Sequence, residues 1–324
     1  MRSDTVRDRF EHYQVWFYFT CVAAGAAVAS VVEGTEKLEA TINPALAFML
    51  FVTFLQVPLT ELGRGFRERR FLAALLTSNF IAIPVLAFLL SRLAMDDALL
   101  RLGILMVLLT PCIDYVITFA HLGRADARLL LVSTPILLVV QMVLLPLYLA
   151  AFLGPAAAEL VQMGPFVHAF LWLIALPLVM AALVQLWAAR HRIGHNINSA
   201  LGLAPVPATA LVLFLVVAAT IPVLGTATGQ ALSVLPLYIA YAVLAPMVGW
   251  GVAWAFGLRS AATRAVAFSS ATRNSLVVLP LAFAVPGAIP VLPAVIVTQT
   301  LVELMAELIY IRLIPRVPAH FRRA

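Results

Sequence analysis

The chain has 324 residues, of which 63% are hydrophobic and only 11% charged, against roughly a quarter charged in an ordinary soluble domain. That balance excludes a soluble globule, and so much apolar mass with only two cysteines, Cys21 and Cys112, excludes a disordered chain or a disulfide framework. The net charge of +6 reads as membrane topology, with the bilayer as partner and no nucleic acid required.

Apolar stretches of ~20 residues bounded by charges predict an all-α integral membrane protein with ten transmembrane helices. The first five run over 12–32, 42–60, 71–91, 99–120 and 129–152, the second five over 165–188, 200–222, 232–257, 265–285 and 291–312. Residues 1–11 precede them, 153–164 form an outer linker, and 313–324 form a tail. The basic start and the small residues from Ala23 to Ala29 imitate a secretory signal. The apolar run is too long for one, so it is read as the first span. A membrane barrel would alternate apolar and polar residues, whereas these runs are apolar on every face.

Orientation follows from the cations. With the N-terminus cytoplasmic, seventeen of the 21 fall inside, and only Lys37, Arg92 and Arg101 fall in outer loops. Arg273 alone lies within a span. Both termini are therefore expected in the cytoplasm and the helix number is even. Five helices per half is odd, so the two halves, 12–152 and 165–312, would enter from opposite sides as inverted repeats. Proline positions agree with such a repeat: Pro44, Pro58 and Pro84 are followed by Pro207, Pro222 and Pro246 at offsets of 163, 164 and 162.

Two spans carry an interruption. In span four, Pro111 removes a backbone hydrogen bond mid-helix, close to Cys112 and Asp114. In span nine, Phe268 to Ser275 is the most polar stretch inside any span. The hydroxyls of Ser269, Ser270 and Thr272 can bend a helix by bonding its carbonyls. Freed backbone groups are tolerated at that depth only where protein or a watery cavity satisfies them.

Four ionisable residues lie within spans: Asp114, Arg273, Glu303 and Glu307. Each costs on the order of 2.5–3.5 kcal/mol near a helix centre. At 1.5 Å per residue, Cys112, Asp114, Arg273 and Glu303 fall in one layer roughly 5 Å thick, with Glu307 shallower. Either Arg273 neutralises Asp114 or Glu303 in a structural ion pair, or it meets an anionic substrate. Three carboxylates against one arginine leave acid in surplus, and a carboxylate uncompensated in a dry interior exchanges protons readily. Glu303 and Asp114 are the candidate proton carriers; Glu307 reads as a residue snorkelling to the interface. Thiolate sulfur selects soft metals and metalloids, which makes Cys112 a candidate ligand, whereas Cys21 reads as packing. Arg273, Asn274, Ser270 and Thr272 complete the expected binding constellation. The histidines lie in loops or at span ends, and no enzyme motif or cofactor-binding pattern is present.

Thr110-Pro111-Cys112, the stretch from Ser269 to Leu276, and Leu301-Val302-Glu303 resemble the arsenite efflux permeases of the bile acid:sodium symporter superfamily. The resemblance implies ten spans in two inverted repeats, a four-helix panel and a six-helix core, and broken spans four and nine that cross. It further implies export of trivalent arsenic, as arsenite and sometimes antimonite, in exchange for protons. In that reading Cys112 binds the metalloid substrate and Glu303 is the acid required for transport. The chain departs from the pattern in span nine, where Thr272-Arg273-Asn274-Ser275 stands without an acidic residue, and in carrying Asp114. The absent acid weighs against sodium coupling, although Ser133 and Thr134 could contribute oxygens. The expectation is thus a proton-coupled arsenite exporter of a prokaryotic inner membrane; the alternative is a sodium- or proton-coupled symporter of an organic anion.

Overall fold

The computed structural model describes residues 2–56, 68–93, 97–113, 115–153, 168, 171–224, 227–283, 285 and 291–317. The chain divides into two compact units, one of residues 1–59, 162–228 and 279–294, the other of 60–161, 229–278 and 295–324. Each unit draws segments from both halves of the sequence.

In the first unit lie α1 (Arg2–Val31), α2 (Glu39–Gln56), α8 (Leu176–Ala188, entered through a π turn, Leu171–Ala175), α9 (Arg192–Leu201) and α10 (Pro205–Leu224). Helix α10 packs on α1 and α2, and α8 packs on α2 and α9. Gly25 permits the α1–α10 approach, because a Cβ there would meet the Phe214 carbonyl oxygen at 2.8 Å. The Gln185 side chain donates to the carbonyls of Phe54 and Leu55 at 3.0 and 3.2 Å, tying α8 to α2.

Helix α9 lies almost wholly between the expected spans 165–188 and 200–222. Its Ile193 and Ile197 sit one turn apart and both remain exposed, among Arg192 and His195 on the same ten-residue segment. A short amphipathic helix of this kind carries too few apolar residues to register as a span.

The second unit contains α3 (Arg69–Thr77), which passes through a π turn (Ser78–Ala82) into α4 (Ile83–Ser91), then α5 (Ala98–Leu108), α6 (Val116–Leu122) and α7 (Ala127–Leu153). It also holds α11 (Thr228–Ala255), α12 (Ser260–Ala271), the start of α13 (Ser275–Phe283), and α14 (Val291–Leu313) apart from its first turn. Asp97 starts α5 by accepting from the backbone N–H groups of Leu99 and Leu100, the arrangement of an N-cap. Helix α12 is the hub of this unit and packs on α3, α6 and α7.

Among the described residues, six helical segments are long and apolar enough to cross a membrane unaided: Thr35–Gln56, Arg69–Ser91, Ala127–Leu153, Pro205–Pro222, Thr228–Ala255 and Val291–Arg316. The expected spans four and nine are absent from that group because each is cut in two. Span four ends as α5 at Leu108 and resumes as α6 at Val116; span nine ends as α12 at Ala271 and resumes as α13 at Ser275. The protein is a multi-pass helical membrane protein, and among the described residues the sole β-type pairing is a single bridge between those two breaks.

Candidate functional site

The two breaks meet. Pro111 and Arg273 form an antiparallel bridge, with the Cys112 N–H donating to Thr272 O at 3.1 Å and the Asn274 N–H donating to Thr110 O at 2.8 Å. Residues directly opposite in such a pair do not bond each other; their neighbours do. Pro111 occupies the one kind of ladder position where a missing N–H costs no hydrogen bond. The extended segments thus satisfy one another's backbone groups, which is what burial in a membrane demands.

Around this bridge close in side chains of the π turn after α3, of α11, α12 and α14, and the last carbonyl of α5. Arg273 is 0% exposed. One Nη donates to Asn79 Oδ1 at 2.7 Å and to the carbonyl of Ser269, and the other donates to the carbonyl of Leu108 at 3.4 Å. Its guanidinium lies 6.0 Å from the centroid of the Tyr241 ring. Leu108 is the last residue of α5, and Ser269 stands in the last turn of α12. The cation is held where the negative ends of two half-helices converge, so its hydrogen-bond partners among the described residues are neutral oxygens. Of the two carboxylates read as possible ion-pair partners of Arg273, Glu303 does not bond its guanidinium, and Asp114 lies outside the described residues.

Glu303 takes the backbone of Arg273 instead. Its Oε2 accepts from the Arg273 N–H at 2.7 Å and from Gln299 Nε2 at 2.5 Å, and its Oε1 accepts from the Tyr115 hydroxyl at 2.6 Å. Glu307, one turn further on, is not a snorkelling residue: it is 0% exposed. Its Oε1 lies 2.5 Å from Thr272 Oγ1, and its Oε2 has no partner among the described residues. Counted along a straight span Glu307 lies nearer the interface, yet both carboxylates reach the break in span nine, Glu307 at Thr272 and Glu303 at the Arg273 N–H.

Asn274 caps α13, its Oδ1 accepting from the Val277 N–H at 3.3 Å, while its Nδ2 and the Nε of Arg273 are buried without partners among the described residues. Ser270 Oγ donates to Val266 O at 2.8 Å and lies 2.6 Å from Ser78 Oγ, so Ser78 donates in that contact. Thr272 Oγ1 also reaches Phe268 O at 2.7 Å. Cys112 is buried on the extended segment of the span-four break, next to the bridge. Neither it nor Cys21 is in a disulfide. Asp114 lies outside the described residues. Ser133 and Thr134 are buried in α7; Thr134 donates to Leu130 O at 3.1 Å, and Ser133 Oγ has no partner among the described residues. No metal-binding cluster of histidine, cysteine or carboxylate occurs among the described residues.

Sequence reasoning missed Asn79, Tyr115 and Gln299. Asn79 sits in the π turn of the third expected span, a distortion common at functional sites, and also donates to Ser269 Oγ at 3.0 Å. The signal for it was a Ser-Asn pair within an apolar run. Gln299 stands four residues before Glu303 on one helix face, within the polar triplet Thr298-Gln299-Thr300.

A pair of broken helices crossing at buried polar side chains is how many secondary transporters build a substrate site. The profile of the Sodium Bile acid symporter family matches residues 43–227, more than half of the chain. The chain belongs to that family. The matched stretch contains Cys112 and Asn79 and ends before Arg273, Glu303 and Glu307. No curated protein matches the chain. Symporter-family proteins move small molecules across membranes, and the two breaks bring together a buried thiol, a fixed cation, two carboxylates and, among the described residues, two donors without partners.

Proposed function

We propose that this symporter-family protein exports trivalent arsenic, as arsenite and antimonite, from the cytoplasm in exchange for protons. Ten spans form two inverted repeats, 12–152 and 165–312, in an inner membrane with both termini cytoplasmic. The division into units supports the repeat: the first unit takes expected spans one, two, six and seven, and the second takes three, four, five and eight with most of nine and ten, residues 279–294 falling in the first. Each unit thus uses corresponding members of the two halves, as paired repeats require.

The observation that carries the reading is the meeting of thiol and acid at one crossing. The Cys112 N–H is bonded to Thr272 O, and the adjacent Arg273 N–H is bonded to Glu303. In this mechanism the Cys112 thiol displaces one hydroxyl of arsenous acid. An As–S bond forms, an As–O bond breaks, and the thiol proton leaves with the hydroxyl as water, with no change of oxidation state. Glu303, with Asp114, carries the exchanged proton, while Arg273, Asn274, Ser270 and Thr272 line the site. Alternating exposure of the crossing to the two sides of the membrane completes the cycle. Asn79, Ser269 and Leu108 commit oxygens to the guanidinium that a sodium ion would otherwise need, which supports protons as the coupling ion.

Everted vesicles under an imposed pH gradient test this. Arsenite uptake is expected in the wild type and at least about tenfold less in Cys112→Ser and in Glu303→Gln; full uptake by both variants overturns the assignment. One observation favours a second reading, an organic-anion symporter: the open donors Arg273 Nε and Asn274 Nδ2 suit a carboxylate. Gradient-driven uptake of an organic acid, insensitive to arsenite, would put that reading in place of the first.

A further inference from the structure

On the second unit a groove of about 750 Å³ runs between α11 and α14, with Ala267 of α12 among its lining residues. Its walls are apolar, from Leu235 to Gly251 on one side and from Val302 to Val317 on the other, and among the described residues no charged side chain lines it. The one hydroxyl within it, that of Tyr310, is spent on the carbonyl of Ala242. Small residues make the space: Ala242, Gly251, Ala267 and Ala306 stand where larger side chains would fill it. Gly249, one residue from the groove wall, lets α11 press onto α12, because a Cβ there would collide with the Ser270 side chain. The stretch of α11 from Leu235 to Gly251 gives the groove a length of about 24 Å, more than the ~15 Å of hydrocarbon in one leaflet of a ~30 Å core.

One end of the groove is marked differently. Leu313, Ile314 and Val317 line it there, and Arg312 and Arg316 beside them are exposed. Arg264 reaches the same end, donating to the carbonyl of Pro315 at 3.2 Å. Trp250 lines the wall and Trp254, one turn on, is 64% exposed; tryptophan at a helix end marks the headgroup level of a membrane.

We propose that this groove is a binding site for an anionic phospholipid, with an acyl chain between α11 and α14 and the headgroup at Arg312 and Arg316. An interior whose polar groups are only the Tyr310 hydroxyl, spent on Ala242, and the Trp250 indole N–H suits hydrocarbon, and paired arginines at the membrane surface select a negative headgroup. The full-length protein, taken from nanodiscs of equal phosphatidylglycerol and phosphatidylcholine, is to be analysed by native mass spectrometry. Two arginines predict about tenfold or greater retention of phosphatidylglycerol over phosphatidylcholine. Gly251→Phe, at a position where an added Cβ meets nothing within 4 Å, fills the mouth and should strip both lipids. Arg312→Gln with Arg316→Gln, on exposed residues, should keep lipid bound and erase the preference. Equal retention of the two lipids by the wild type, or unchanged retention by Gly251→Phe, overturns the proposal. So does a dimer that Gly251→Phe dissolves, since a second copy would then be the occupant.

Discussion

Span four is interrupted by a proline, and span nine by hydroxyls and an arginine; the two meet at one antiparallel bridge yet depend on it differently. In span four the backbone makes the break: Pro111 cannot donate, and the segment contributes a carbonyl and an N–H to its partner. In span nine side chains make it. Arg273 holds the carbonyls of Leu108 and Ser269, Thr272 reaches Glu307, and Asn274 caps the helix that follows. A proline only forbids the helix, whereas the span-nine residues supply the contacts that replace it. Span nine is therefore where the crossing is held, and span four is where it is permitted.

The sharpest way to break this comparison is Arg273→Ala. It strips Asn79 Oδ1 and two carbonyls of a donor in a buried site, and at ~1–3 kcal/mol per orphaned acceptor the variant should lose about 3 kcal/mol or more. A thermal-unfolding series on purified protein reads that loss. Arg273→Lys should recover only part of it, because a lysine lacks the planar fork that serves several acceptors at once. A smaller effect is expected at Thr272→Val, which keeps the shape and removes the hydroxyl facing Glu307: about 1–2 kcal/mol in the same assay. The smallest belongs to Pro111→Ala. The bridge does not use the N–H at 111, so the change should stay within about 0.4–1 kcal/mol, the range of a backbone-entropy effect. A Pro111→Ala loss larger than that of Arg273→Ala would reverse the comparison and make the proline the principal brace.

Much of the crossing was legible in the amino-acid order. Pro111 and the run of hydroxyls from Ser269 stand out because an apolar span has no other reason to hold them, and both sites are true helix breaks in the structure. Glu303 was recognisable for the same reason. Glu307 reads as shallow because depth counted along a helix says nothing of partners, and in the fold it is buried against Thr272. Asn79 left only a short Ser-Asn pair in an apolar run, and Tyr115 none, because their roles depend on partners 190 or so residues away, Ser269 and Glu303.

Composition and charge distribution by themselves determined that this is a helical membrane protein with interrupted spans, since the cost of exposing backbone or charge to lipid leaves few alternatives. Only the tertiary structure decided what the buried charges do. The guanidinium of Arg273 settles on helix-end carbonyls and Asn79, and Glu303 on a backbone N–H, a tyrosine and a glutamine. The physical reason is that a charge constrains where a residue cannot lie, whereas its partner is chosen by the geometry of helices far apart in the chain.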